Sequence, residues 1–205
     1  MSLAVEAISI RRLGCVEYLP AWQAMRAFSA QRSESTADEL WLVEHPPVYT
    51  LGQSADRAFG PAASAIPVVQ SDRGGEITYH GPGQVVLYAL IDLARRGIKV
   101  KPFVSLLEQA VIDLLDGRGE RRPGAPGVYV NGAKIAALGI RVTRGCAYNG
   151  VALNVDMDLS PFKAIAPCGY PGLEVTQTRD LGFPQSAKHW GEMLAQSVIA
   201  RLEHA

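Results

Sequence analysis

At 205 residues the chain is within the size that one hydrophobic core serves, so a single globular domain over 1–205 is expected. Apolar residues make up 48% and charged residues 20%, which argues against long disorder, a coiled coil or a disulfide scaffold. Lys plus Arg equals Asp plus Glu at 20 each, so no whole-molecule field favours nucleic acid, and a charged partner must meet a local patch.

In chain order, a first helix is expected from about Pro20, with Trp22, Met25 and Phe28 stacked at three-residue steps on a core-facing side. Glu39 to Glu44 reads as a strand. His45-Pro46-Pro47 must leave regular pairing, because neither proline has an N–H to give. Val48 to Leu51 resumes an extended run, and small residues with Gly60, Pro61 and Pro67 predict a surface loop from Gln53 to Pro67. Gly75 to Tyr79 and Gln84 to Leu90 read as strands joined by the tight stretch His80-Gly81-Pro82-Gly83.

The clearest helix carries Phe103, Leu106, Leu107, Ala110, Val111, Leu114 and Leu115 on one stripe, with Pro102 near its start and Gly117 at its end. Val128 to Val130 and Lys134 to Val142 flank Asn131-Gly132, a dipeptide suited to a type I′ turn, and should pair as a hairpin. Val151 to Val155 is extended; prolines and glycines then punctuate an irregular segment that holds Cys168. A last helix is expected from about Ser186 to Leu202. Hairpins outnumber helical crossovers, which predicts an α+β fold: a mixed, largely antiparallel sheet with packed helices.

Cys15, Cys146 and Cys168 are odd in number and never spaced as CxxC, so neither a disulfide framework nor a zinc site is suggested, and a reducing cytoplasm fits. No apolar run approaches about 18 residues, and Met1-Ser2-Leu3 does not open a basic and then apolar leader, so secretion and membrane spanning are not expected.

Cys168, held between Pro167 and Gly169, is the best-placed nucleophile candidate; a loop thiol is nonetheless inert unless a neighbour favours its thiolate. Lys134, heading the apolar run Lys134 to Ile140, either reaches solvent or points into a site. Four glycines among the twelve residues 73–84 let backbone approach a ligand closely, or build a glycine-rich hairpin; the segment is neither GxxxxGK[ST] nor GxGxxG. Within it, His80 is positioned to hydrogen-bond at a reaction centre, whereas His45 is expected to fix the Pro-Pro turn. Ala136, Gly139, Gly150 and Ala152 suggest an apolar slot. Arg95, Arg96, Lys99 and Lys101, or Arg141 and Arg144, are candidate basic patches.

Three segments together resemble the lipoyl(octanoyl) transferase family, also called lipoate-biosynthesis protein B. They are RGGEITYHGPGQ at 73–84, PGVYVNGAKIAALGIRV at 126–142, and the run from NGVALNVDMDLSPF into APCGY at 149–170. The resemblance extends from about Glu44 to Val175. It implies a fold like that of the catalytic domains of biotin and lipoate ligases, and a cytoplasmic transferase acting in lipoate biosynthesis and protein lipoylation. An octanoyl group would pass from acyl carrier protein to the enzyme, and then to a lysine of a lipoyl domain in 2-oxoacid dehydrogenase complexes or the glycine cleavage H protein.

By the same resemblance, Cys168 corresponds to the family's thioester-forming cysteine and Lys134 to its partner lysine. The substrate pocket carries over to Arg73, Gly74, Gly75, Glu76, Ile77, Thr78, Tyr79 and His80, to Ala137, Leu138 and Gly139, and to Gly150, Val151 and Ala152. No cofactor, metal or ATP is implied, nor nucleic acid or membrane, and a monomer is expected. Asn149 departs from the family, which often has histidine there. The alternatives are an ATP-dependent lipoate or biotin ligase, which needs no nucleophilic cysteine, and a non-catalytic module that binds lipoyl domains or acyl carriers.

Overall fold

The computed structural model describes residues 7–56, 60–61, 64–165 and 173–205. Nine strands and four α-helices are described: β1 (Ser9–Cys15), α1 (Tyr18–Gln31), β2 (Glu39–Glu44), β3 (Val48–Leu51), β4 (Val68–Gln70), β5 (Ile77–His80), β6 (Gln84–Asp92), α2 (Leu93–Arg96), α3 (Val100–Asp113), β7 (Gly127–Val130), β8 (Ala133–Thr143), β9 (Cys146–Asn154) and α4 (Ala187–Glu203). Local chemistry sets several ends. Ser186 caps α4 by accepting the His189 N–H. Asp92 caps α2 in the same way through Arg95, and Gly97 ends it in the left-handed region.

Six strands form one sheet in the order β1-β2-β6-β9-β8-β7, and three form a second in the order β4-β3-β5. Pairing is antiparallel except between β1 and β2 and between β3 and β4. Asn131 and Gly132 both have positive φ in the β7–β8 turn, as the dipeptide predicts. Arg144-Gly145 makes the same kind of turn between β8 and β9; this hairpin carries no Asn-Gly or Asp-Gly signature, and the sequence reading began β9 five residues late.

Alternation along the central strands sends side chains to two faces. One face meets α3 and α4 through Leu87, Val151, Leu153, Phe103, Leu107, Trp190 and Leu194. The other meets α1 through Val86, Tyr88, Tyr148 and Ala152 against Met25 and Ala21. A third cluster, Tyr49, Leu51, Ile77, Tyr79 and Phe162, backs the small sheet. The stretch from His80 to Gly83 is therefore not a hairpin turn: β5 pairs with β3, whereas β6 pairs with β2 and β9. Two glycines and a proline let the chain change sheets there. Among the described residues, no helix is long and apolar enough to cross a membrane.

Candidate active site

Between the large sheet and β5 with the loop that precedes it lies a cavity of about 210 Å³ with mostly apolar walls. Its floor is made by facing residues of β8 and β9: Ala137 opposite Ala152, and Gly139 opposite Gly150. Side chains are small here because backbone crosses overhead. The Gly74 N–H donates to the Ile140 carbonyl at 3.0 Å, and a Cβ on Gly139 would sit 2.7 Å from the Gly74 oxygen. Only glycine allows that crossing.

A chain of hydrogen bonds fixes the polar wall. Arg73, 8% exposed, donates from Nε and Nη2 to Thr50 Oγ1 at 3.1 and 2.9 Å. Thr50 Oγ1 lies 3.3 Å from His80 Nε2, and His80 Nδ1 lies 2.7 Å from Gln84 Oε1. The Gln84 amide N–H groups donate to the Tyr79 carbonyl and to Asn154 Oδ1, and Asn154 donates to the Thr176 carbonyl at 3.0 Å. Gln84 Oε1 is thereby an acceptor, so His80 carries its proton on Nδ1 and accepts from Thr50 at Nε2.

Burial, with His45 and the Arg73 charge adding to it, pulls the His80 pKa down to about 3 against the opposing Gln84 bond. The ring is neutral and both nitrogens are engaged within the protein. His45 is fully buried, with Nδ1 2.6 Å from the Val16 carbonyl and Nε2 2.6 Å from the Tyr88 hydroxyl. Burial lowers its pKa to about 4 despite the bond to Val16. It ties the end of β1 to β6 beneath the cavity, a wider task than fixing a proline turn.

Lys134 opens the cavity at the β7 edge. It is 5% exposed, and its Nζ lies 5.3 Å from the centre of the Tyr129 ring. Gly127 makes room for its stem, since a Cβ there would fall 2.4 Å from Lys134 Cε. The backbone of Lys134 also holds a second chain segment: its N–H donates to Glu174 at 2.8 Å and its carbonyl accepts from Thr176 at 2.9 Å. Val175, between them, lines the cavity.

The lipoyl protein ligase A/B catalytic domain profile matches residues 17–198. The chain belongs to that family. An octanoyltransferase from Thiobacillus denitrificans is 61% identical over 94% of this chain and 89% of its own length. One from Dechloromonas aromatica is 57% identical over 95% and 96% respectively. By this kinship the chain is an acyltransferase. A bipartite lipoate protein ligase from Thermoplasma acidophilum superposes with a TM-score of 0.70 over 98% of this chain and 84% of its own, at 15% identity, which shows the shared α+β fold.

Within this lipoyl ligase family fold, Arg73, Gly74, Gly75, Glu76, Ile77, Thr78, His80, Lys134, Ala137, Leu138, Gly139, Gly150, Val151 and Ala152 all line the one cavity. Tyr79 is the exception among the candidate pocket residues. Strand alternation turns it to the other side of β5, where its ring meets Tyr49 and Phe162, each 5.5 Å away. Ala136 likewise faces the α3 side, so the small floor residue is Ala137. Cys168 lies outside the described residues. The described chain stops at Ile165 in the third cluster and resumes at Leu173, one residue before the pairing with Lys134.

Two members of the first candidate basic patch have their charge met within the protein. Arg95 and Arg96 both bind the buried carboxylate of Asp38, as does Arg32, while Lys99 and Lys101 stay exposed. Arg144 donates to the Ser29 and Ala30 carbonyls near the end of α1, and Arg141 to Gln53.

Several wall residues are absent from the candidate pocket: Tyr18, Tyr88 and Val175 lie outside the three motif segments, and Asn154 and Phe162 lie within the third without being singled out. Asp72 was also missed. It accepts from Trp22 Nε1 at 2.7 Å and from the Tyr148 hydroxyl at 2.5 Å, and so latches the glycine-rich loop to α1 and β9. Its place immediately before Arg73 was the available signal. Among the described residues, no group of three or more His, Cys, Asp or Glu side chains is placed to hold a metal.

Proposed function

We propose that the chain transfers an octanoyl group from the phosphopantetheine thioester of acyl carrier protein to a lysine of a lipoyl domain, through a thioester on Cys168. The observation that carries the reading is a buried lysine at one end of an apolar cavity, its backbone bonded to the segment that begins a few residues after Cys168. The relatives named octanoyltransferases, matched over nearly their whole length, supply the acyl group. The acceptors are the lipoyl domains of 2-oxoacid dehydrogenase complexes and the glycine cleavage H protein.

In the first step the Cys168 thiolate, favoured by the Lys134 ammonium, attacks the carrier's thioester carbonyl. The tetrahedral oxyanion is stabilised by backbone N–H groups of the glycine-rich wall. Collapse expels the carrier thiolate, which takes a proton from Lys134, leaving an acyl-thioester and a neutral amine. In the second step that amine takes one proton from the incoming lysine ammonium. The neutral lysine attacks, its second proton passes to water, the amide forms, and the Cys168 thiolate leaves beside a restored Lys134 ammonium. A thioester donor is already activated, so the scheme uses no ATP, metal or other cofactor.

Intact-mass measurement after mixing the enzyme with octanoyl carrier protein, without ATP, tests the scheme. The expected result is a single octanoyl adduct, labile to hydroxylamine and lost in Cys168→Ser. An enzyme that forms no adduct and modifies lipoyl domains only when given ATP is instead a ligase of the adenylate-forming kind.

A further inference from the structure

Glu108 is 6% exposed and is the one charged side chain among the buried residues of α3, where it keeps company with Phe103, Leu107, Ala110 and Val111. A carboxylate in such surroundings is costly unless it is paired and hydrogen-bonded. Its Oε2 lies 3.2 Å from Arg121 Nε, and the arginine side chain is half-exposed. Its Oε1 accepts the Gly127 N–H at 3.0 Å, a bond buried in the protein.

The place of Gly127 shows what that bond controls. β7 is an edge of the six-stranded sheet, and Gly127 is its first residue, paired with Ala137 on β8. With its N–H turned away from β8, the edge offers no further strand to receive it, and Glu108 supplies the acceptor. The φ of +144° is open to glycine, which has no side chain to hold the backbone there. Along this backbone runs the Lys134 stem: a Cβ on Gly127 would fall 2.4 Å from Lys134 Cε and 3.1 Å from Nζ. The Tyr129 ring, with its centre 5.3 Å from Nζ, is a second neighbour. A displacement of Gly127 therefore alters the space that Lys134 fills, while Glu108 itself does not line the cavity.

We propose that Glu108 is a positioning residue for acyl transfer: by holding the Gly127 N–H it fixes the wall against which Lys134 lies, and so aims the ammonium into the cavity. It touches neither the substrate nor the reacting atoms. This rests on the reading that Lys134 takes part in the transfer, and the test separates the two.

Three variants grade the contact. Glu108→Leu removes the acceptor. Glu108→Asp keeps the charge but draws it back from Gly127 by one methylene. Glu108→Gln keeps an acceptor at full reach without the charge. Rates are expressed per active site, counted from the octanoyl adduct that accumulates without an acceptor, so that loss of folded protein is divided out. Because a small misplacement of a reacting group is costly, Glu108→Leu and Glu108→Asp are expected to lower kcat at least tenfold with KM for octanoyl carrier protein within twofold of wild type. Glu108→Gln should recover most of the rate. In parallel, the Lys134 Cε resonance of isotope-labelled protein, identified by its absence in Lys134→Arg, reads the ring current of Tyr129 without turnover. It should move toward the position of exposed lysines in Glu108→Leu and Glu108→Asp and hold its place in Glu108→Gln. A kcat within twofold of wild type in Glu108→Asp, or a Lys134 resonance that does not move in it, overturns the proposal even if Glu108→Leu fails to fold. Lys134→Ala that acylates Cys168 at the wild-type rate would instead remove Lys134 from the transfer scheme, with the resonance shifts still reporting whether Glu108 aims it.

Discussion

The Thr176 backbone N–H donates to the Lys134 carbonyl at 2.9 Å, joining the arm that leaves the Cys168 segment to the strand that carries the lysine. If the reaction needs thiol and lysine together, this bond and that from the Lys134 N–H to the Glu174 carbonyl serve that need among the described residues. Thr176→Pro removes the donor. One net hydrogen bond is worth about 1 kcal/mol, so the melting temperature should fall by only a few degrees. Acyl-enzyme formation should slow by far more than that loss implies. Unaltered single-turnover kinetics of acylation would show that this anchoring does not matter.

The Asp72 latch makes a second prediction. Asp72 receives Trp22 from α1 and Tyr148 from β9 and sits immediately before Arg73, so it positions the glycine-rich loop without touching the cavity itself. Asp72→Asn and Tyr148→Phe should each raise KM for octanoyl carrier protein, with kcat changing less. In a double-mutant cycle their coupling should be about 1–2 kcal/mol, as for a hydrogen bond to a charged group that is partly exposed. Additive effects would mean that the pair does not act as one latch.

Much of the site was legible because its residues lie in unbroken strings whose spacing the strands preserve. Residues 73–80 and 137–139 reach the cavity almost entire because glycine and small side chains are what a backbone crossing demands. Tyr79 was misplaced by treating the string as a unit, when a strand sends alternate residues to opposite faces. The three long helices begin within two residues of where the sequence places them, since a 3.6-residue stripe survives in sequence, whereas the single turn of α2 is too short to leave one. The sheet order was not legible: β5 and β6 are neighbours in the chain, yet each pairs with a distant strand. The His45–Tyr88, Arg73–Thr50 and Thr50–His80 bonds are likewise long-range, and no local pattern records them.

The cavity floor sets a third prediction. Ala137 and Ala152 face each other across β8 and β9, so a phenyl group at either position enters the space above Gly139 and Gly150. Each CH₂ removed from water contributes about 0.8 kcal/mol, roughly fourfold in affinity. Ala137→Phe should therefore move the preferred acyl chain from eight carbons toward six or fewer, with the preference ratio between them changing by at least tenfold. A chain-length profile identical to wild type would place the tail elsewhere.

The two buried histidines predict how stability responds to acid. Folding lowers His45 from 6.5 to about 4 and His80 from 6.5 to about 3, in both cases chiefly by burial. Below pH 6.5 the unfolded chain takes up protons that the folded chain refuses. The stability these neutral rings allow is thus complete above pH 6.5 and drains away as pH falls toward 4. Each ring contributes a slope of about 1.4 kcal/mol per pH unit in that window. For the Asp38 carboxylate, burial pushes the pKa up, but the Asp92 N–H and the Arg96 and Arg32 partners outweigh it and hold it below 3.8, so its loss comes only at lower pH. Urea unfolding at pH 7, 6 and 5 should show the decline, and His80→Gln, which keeps a neutral polar side chain, should remove about half of the slope. Equal slopes in wild type and His80→Gln would mean that the ring is protonated in the folded protein, and the Thr50–His80–Gln84 relay would have to be drawn with an imidazolium at its centre.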